Sequence, residues 1–197
     1  MKRFRTLRTI AAVAVAALLL AGCAAHRSSS VEPQQQAPVT HRISGYPNQL
    51  SPELAKDRSV AVVEGTVSSI GDPTWNTADR KKPSTEPQGD ELPAIIYTPF
   101  RVKVDKAYKG VAGSYLDVKA FGGTLDGEAF AFDVGGYVPK AGERVVVFVS
   151  QNFTEKNGDK LAIPVSMYSI VGADAVNQFG GDQGNLPASA LEQDLQH

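Results

Sequence analysis

The chain has 197 residues, a formal charge of −1 and one cysteine, Cys23. Four of its 20 basic residues and none of its 21 acids precede Cys23, so the remainder carries 16 against 21, a balance of −5. That acidity is unfavourable for binding phosphate backbones of nucleic acid, and a single cysteine excludes an internal disulfide framework.

Lys2, Arg3, Arg5 and Arg8 are followed by an unbroken apolar run from Ile10 to Leu20. The run is about half the roughly 20 residues that a membrane-spanning helix needs, so it fits a secretory signal better than a permanent span. Leu20-Ala21-Gly22-Cys23 closes it. This arrangement resembles the lipobox of bacterial lipoprotein precursors. The resemblance implies a signal peptide over residues 1–22, diacylglyceryl attachment to the Cys23 thiol, and cleavage that leaves Cys23 first. The other readings of Cys23 are an ordinary signal peptide with an incidental cysteine and a catalytic thiol; the thiol lacks a histidine partner in a folded context. Each buried acyl CH₂ contributes about 0.8 kcal/mol, so two or three chains on one cysteine give stable attachment.

"AAHRSSSVEPQQQAPVTHR" follows, rich in Ser, Gln, Pro and Ala. With so little apolar area to offset the entropy of ordering, residues 23–45 read as the lipidated cysteine and a flexible tether. Residues 46–197 are long enough for one domain with a sizeable core.

Within that domain, "SPELAKD" has Ser51 placed to cap a short helix with Pro52 at its first position. "SVAVVEGTVSSI" (59–70) alternates with period two and reads as a strand. The stretch from about 72 to 93 is polar, proline-punctuated and too long for a hairpin turn, and its composition favours disorder. It contains Trp75, either a partner anchor at the mouth of the barrel or a cover for the end of the core, and the basic run Arg80-Lys81-Lys82, read as a solvated loop tip.

"IIYTPFRVKVDKAY" (95–108) sets Phe100, Val102 and Val104 on one face and Arg101, Lys103 and Asp105 on the other, with Pro99 marking an edge or a bulge. The Lys-Gly turn leads to a strand at 115–121, and a hairpin is the natural inference. In "FGGTLDGEAFAFDVGG" the acids Asp126, Glu128 and Asp133 allow a calcium loop or a hydrolytic carboxylate pair, but Asp126-Gly127 between alternating apolar residues favours a hairpin turn. "ERVVVFVS" (143–150) reads as a buried strand, "KLAIPVSMYSIV" (160–171) as a strand broken by Pro164, and "FGGDQGN" as a connector in which Asp182 and Asn185 are possible cation ligands. Leu191 and Leu195 share a face of a short terminal helix.

The pattern predicts a mainly β fold: a small five- to six-stranded Greek-key barrel, OB-like, with short helices at its ends, or alternatively a β-sandwich. "AVVEGTV", "YTPFRVKVDKAYKG" and "GERVVVFV", in that order over residues 58–150, resemble the netrin-like domains, which include the tissue inhibitors of metalloproteinases. The resemblance implies an OB-type barrel. It does not extend to inhibition, because those proteins chelate zinc through an amino-terminal cysteine and are stapled by disulfides, whereas Cys23 lies upstream of the domain.

His26 and His41 fall in the expected tether and His197 is the final residue, so a catalytic triad or histidine-ligated zinc is not expected, and neither is a cofactor. The expected function is a non-enzymatic, lipid-anchored binding module of the bacterial envelope, held on the cell membrane or outer membrane and outside the cytoplasm. Its partner would be an envelope protein or glycan, not nucleic acid, met by Trp75, Tyr97, Arg101 and Lys103. The rival is a carboxylate-dependent hydrolase of envelope polysaccharide.

Overall fold

The computed structural model describes residues 37–43, 50–84, 94–110, 113–132, 137–154, 160–180 and 184–197. Cys23 and the whole signal segment lie outside them. Strand β1 is Val39–Ile43 and helix α1 is Pro52–Arg58. Ser51 Oγ accepts from the Leu54 amide at 3.3 Å, Glu53 lies in the first turn and Lys56 and Arg58 in the last, so cap and macrodipole agree with the sequence. The expected tether is shortened at its far end, since β1 occupies residues assigned to it.

Strand β2 (Ala61–Ile70) and the two-residue β3 (Thr74–Trp75) both pair with β4 (Ile96–Lys109), and β5 (Tyr115–Phe121) pairs with the opposite edge of β4. β6 (Gly123–Leu125) and β7 (Glu128–Phe132) form a hairpin, and β1 runs parallel to β7 in the same three-stranded sheet. β8 (Arg144–Thr154), β9 (Lys160–Val171), β10 (Asp174–Asn177) and β11 (Leu186–Pro187) continue the larger sheet beyond β2, in the order β11-β10-β9-β8-β2-β4. Helix α2 (Ala188–Gln196) follows.

The fold is therefore mainly β, as the sequence predicts, but its sheets are not closed. β5 packs beside β9, and among the described residues no backbone ladder joins them. The closed five- to six-stranded barrel is thus replaced by a longer sheet that leaves a seam.

Apolar side chains fill both faces of the central strands. Ala61, Val63 and Val67 of β2 with Val145, Val147 and Val149 of β8 pack towards Phe100, Val118 and Met167. Val62, Val146 and Phe148 point the other way, against Ala55 of α1 and Leu191 and Leu195 of α2. Two-sided burial is why these strands read as nearly continuous apolar runs. Lysines tie the helix ends to their neighbours: Lys109 Nζ of β4 donates to the carbonyls of Lys56 and Asp57 at 2.6 and 3.1 Å, and Lys56 Nζ of α1 donates to the Leu195 carbonyl of α2 at 2.8 Å. Cations on terminal carbonyls satisfy groups the helix leaves unpaired.

Pro99 sits inside the sheet, not at an edge. Its carbonyl accepts from the Gly71 amide at 2.8 Å, so its missing N–H faces the gap where β2 gives way to β3. Proline has no N–H to return that bond, and the β2–β4 ladder ends at this point. Pro164, buried in β9, lies at the register shift opposite Val149.

At Gly65 strands β2 and β4 approach so closely that an added Cβ would meet the Lys103 carbonyl oxygen at 2.1 Å. The β2–β4 register shifts at the same place. Gly65→Ala is expected to destabilise the domain by about 3 kcal/mol, the upper end of overpacking costs. Gly113→Ala, with nothing within 4 Å, is expected to change it little. Urea denaturation of the two variants checks this.

Candidate functional site

Of the four residues singled out for binding, two are core. Trp75 and Tyr97 are each 3% exposed. The Trp75 indole N–H donates to Asp126 Oδ2 at 3.0 Å, and its ring meets Phe130 edge-on at 5.6 Å. Tyr97 packs on Phe121 at 5.5 Å and against Leu161 and Ile163. The expectation that these rings anchor a partner is corrected: Trp75 lies on β3, whose ladder with β4 draws the ring beneath the β6–β7 hairpin.

Arg101 and Lys103 are exposed, on the outward face the alternation predicts. Arg101 faces Asp117 across the β4–β5 ladder and grips it with two bonds, Nε to Oδ1 at 2.6 Å and a terminal nitrogen to Oδ2 at 2.9 Å. The guanidinium also lies 5.9 Å from the Tyr115 ring centroid. The bidentate contact holds the Asp117 carboxyl below its usual range. In solvent such a pair fixes orientation more than stability.

Beside this pair opens a cleft of about 590 Å³. It follows the seam between β5 and the start of β9 and is lined by Arg80, Arg101, Asp117 and Lys119, with Phe100 and Leu161 among its apolar lining. Arg80 arrives from the stretch whose composition favours disorder. Residues 72–84 of that stretch are ordered by local bonds: Arg80 N–H to the Thr77 carbonyl at 3.0 Å, Thr77 Oγ1 to the Lys81 carbonyl at 2.7 Å, and the Lys81 amide to Asp79 Oδ1 at 3.1 Å. Arg80 itself has φ +58°, a conformation uncommon outside glycine. Residues 85–93 lie outside the described residues.

A second polar cluster was not foreseen. His41, assigned by sequence to the tether, is on β1, stacked on Phe130 at 4.8 Å and paired through Nε2 with Glu128 Oε2; Lys82 Nζ reaches Glu128 Oε1. Lys82 first, then His41, hold the Glu128 carboxyl below its ordinary value. The sequence signal was partial: Asp126-Gly127 forms the expected turn, with φ +54° and +75°, and so places Glu128 at the start of β7. Nothing local marked partners 87 and 46 residues away.

Two further acids, Glu64 and Glu143, are engaged in structure. Glu64 accepts from the Tyr108 hydroxyl at 2.8 Å and from Arg144, and burial first, then Glu64, pushes the Tyr108 phenol up. Glu143 accepts from the Tyr137 hydroxyl at 2.9 Å and from Ser169. Asn185 Oδ1 accepts from the Asn177 amide at 2.9 Å, a turn role for a residue weighed as a cation ligand. Asp133 and Asp182 lie outside the described residues. Among the described residues no three His, Cys, Asp or Glu side chains gather as a metal site, and no helix is long and apolar enough to cross a membrane. No family model matches the chain, and no curated protein or solved structure is significantly similar to it.

Because Glu128 titrates lower folded than unfolded, its pairing adds stability that is full above its ordinary value near pH 4.5 and fades as pH falls through the folded value. Glu128→Gln is therefore expected to be less stable than the native chain above about pH 5, with the gap closing in acid. Thermal melts from pH 7 to 3 check this; a gap that widens in acid would contradict it.

Proposed function

We propose that the protein is a lipid-anchored binding module of the bacterial envelope, attached through Cys23 and acting outside the cytoplasm. The observation that carries this is the sequence Leu20-Ala21-Gly22-Cys23 behind a basic stretch and an apolar run, with no other cysteine in the chain. A diacylated thiol is a membrane anchor, and the polar residues after it give a folded domain reach. The netrin-like pattern of residues 58–150 supports an OB-type arrangement of strands and no inhibitory chemistry.

The binding surface in this reading moves from Trp75 and Tyr97 to the cleft beside Arg101, with Lys103 on the same exposed strand. The cleft combines concavity, an apolar wall and a few charged groups, the usual make-up of a ligand site. The rival hydrolase needs a carboxylic acid that stays protonated near neutrality. Among the described residues the carboxyls whose titration departs from the ordinary, those of Asp79, Asp117, Glu128 and Glu192, are held low. That direction favours binding over general-acid chemistry.

Photo-crosslinking in intact cells, comparing the native chain with Cys23→Ala, tests the reading. The native protein is expected in the membrane fraction with one envelope component enriched on it, and the variant is expected to lose both. A variant that stays in the membrane fraction and captures the same component would overturn the anchored-module reading.

A further inference from the structure

β1 is the first described strand after Cys23, and it is lightly held: four of its five residues are exposed and Ile43 is half-buried. Neither of the two larger core clusters contains a β1 residue. Ile43 borders only the small cluster of Ile95, Tyr97, Leu161 and Ile163. A parallel pair is also slightly less stable per residue than an antiparallel one. An edge strand with so little buried area lies at the low end of the range of local opening free energies, and its release leaves β2, β8 and the helices packed.

What β1 covers is the group that places Arg80. Asn76 is held at the base of its segment by two bonds with Ile95: its amide donates to the Ile95 carbonyl, and its Oδ1 accepts from the Ile95 amide, each at 3.0 Å. Among the described residues, the hydrogen bonds and ion pairs of residues 77–84 stay inside that segment with one exception, Lys82 Nζ to Glu128 Oε1. Arg80 stands two residues before Lys82 and lines the cleft. Its left-handed backbone, φ +58°, is held by the surrounding bonds against the residue's own preference, so it relaxes when they loosen. The other oxygen of the same carboxylate pairs with His41 of β1, whose ring also lies on Phe130. With β1 in place the Glu128 side chain is 15% exposed. Without His41 beside it the carboxylate is open to water, and a solvated lysine–carboxylate pair is screened and holds little.

We propose that β1 is a latch between the anchored amino-terminal chain and the cleft: docked on β7 it holds Lys82 through Glu128 and so fixes Arg80 at the cleft, and released it frees Arg80. This inference rests on the reading of the cleft as the module's binding surface and names how that surface is regulated. The two arrangements differ in one five-residue strand and in the ion pair it shields. Coupling of this kind is reciprocal, so a ligand that engages Arg80 favours docked β1 by the factor with which docked β1 favours the ligand. A pull on the anchored chain acts in the opposite sense, because Val39 is the first residue of the ladder that it reaches.

Hydrogen exchange of the full chain in neutral detergent, resolved by amide, tests this with two variants that release β1 and alter neither Glu128 nor Lys82. Val39→Pro removes the amide that donates to the Gly127 carbonyl, and Ile43→Asp charges the half-buried side chain of the strand. In both, the Arg80 and Lys81 amides, bonded in the native chain to the Thr77 carbonyl and Asp79 Oδ1, are expected to exchange about tenfold faster, an ordinary size for coupling between sites, while β2 and β8 keep their native rates. A disulfide staple from Thr40→Cys with Ala129→Cys, partners on the β1–β7 ladder, is expected to return both amides to native rates in the Ile43→Asp background. Native rates at Arg80 and Lys81 with β1 released, faster rates that the staple does not restore, or loss of protection that spreads to β2 and β8 would overturn the latch. Partner crosslinking separates the latch from the cleft reading. Capture that falls as Arg80 is released supports both, whereas unchanged capture leaves the latch and removes the cleft as the binding surface. No capture by the native chain removes the module reading, and the exchange rates then still decide the latch.

Discussion

Burial of β2 and β8 on both faces is the constraint on which the rest of the structure depends. Two adjacent strands with valines pointing in both directions need cover above and below, and α1 with α2 supplies one cover while β4, β5 and β9 supply the other. Once the helices occupy one face, the remaining strands must wrap the opposite face to bury Phe100, Val118 and Met167. The sheet is not closed as a barrel, and the seam between β5 and β9 is where the cleft opens. The fold thus sets both the place of the site and its composition: apolar residues turned inward beside charged residues turned outward on the same strands.

The small sheet of β1, β6 and β7 has another role. It brings His41, Lys82 and Glu128 together from distant parts of the chain and covers Trp75 from above through Phe130 and Asp126. Trp75 in turn pins the first half of the long excursion to β4, and Arg80 stands five residues further on. Order in a segment rich in polar residues therefore comes from its local turn bonds together with the long-range contacts of one buried indole and one salt-bridged lysine, and the cleft inherits that order.

Much of the fold was legible because its signals are local. Period-two alternation located β2 and β4, a nearly continuous apolar run located β8, Asp126-Gly127 fixed the β6–β7 turn, and Ser51-Pro52 fixed the start of α1, while β9 was expected to break at Pro164 and instead runs through it. What failed to show were facts that need a partner far along the chain. β1 is five residues in a low-complexity stretch and pairs with β7 some 90 positions later, so neither its strand state nor the setting of His41 had a local mark. Whether Trp75 was an anchor or a cover for the core had no local mark, because its hydrogen-bond acceptor, Asp126, is 51 residues away. The candidate site shows the same division: Arg101 was legible as an outward charge, whereas its convergence with Arg80 and Lys119 is a product of topology.

Everything said of function depends on Cys23 carrying lipid, because the anchor decides which ligands and partners the domain ever meets. Intact-mass spectrometry of the protein extracted from its native membrane tests that directly. The account predicts a chain that begins at Cys23 and carries acyl groups on it. A chain that retains residues 1–22, or one cleaved elsewhere with an unmodified Cys23 thiol, would contradict it.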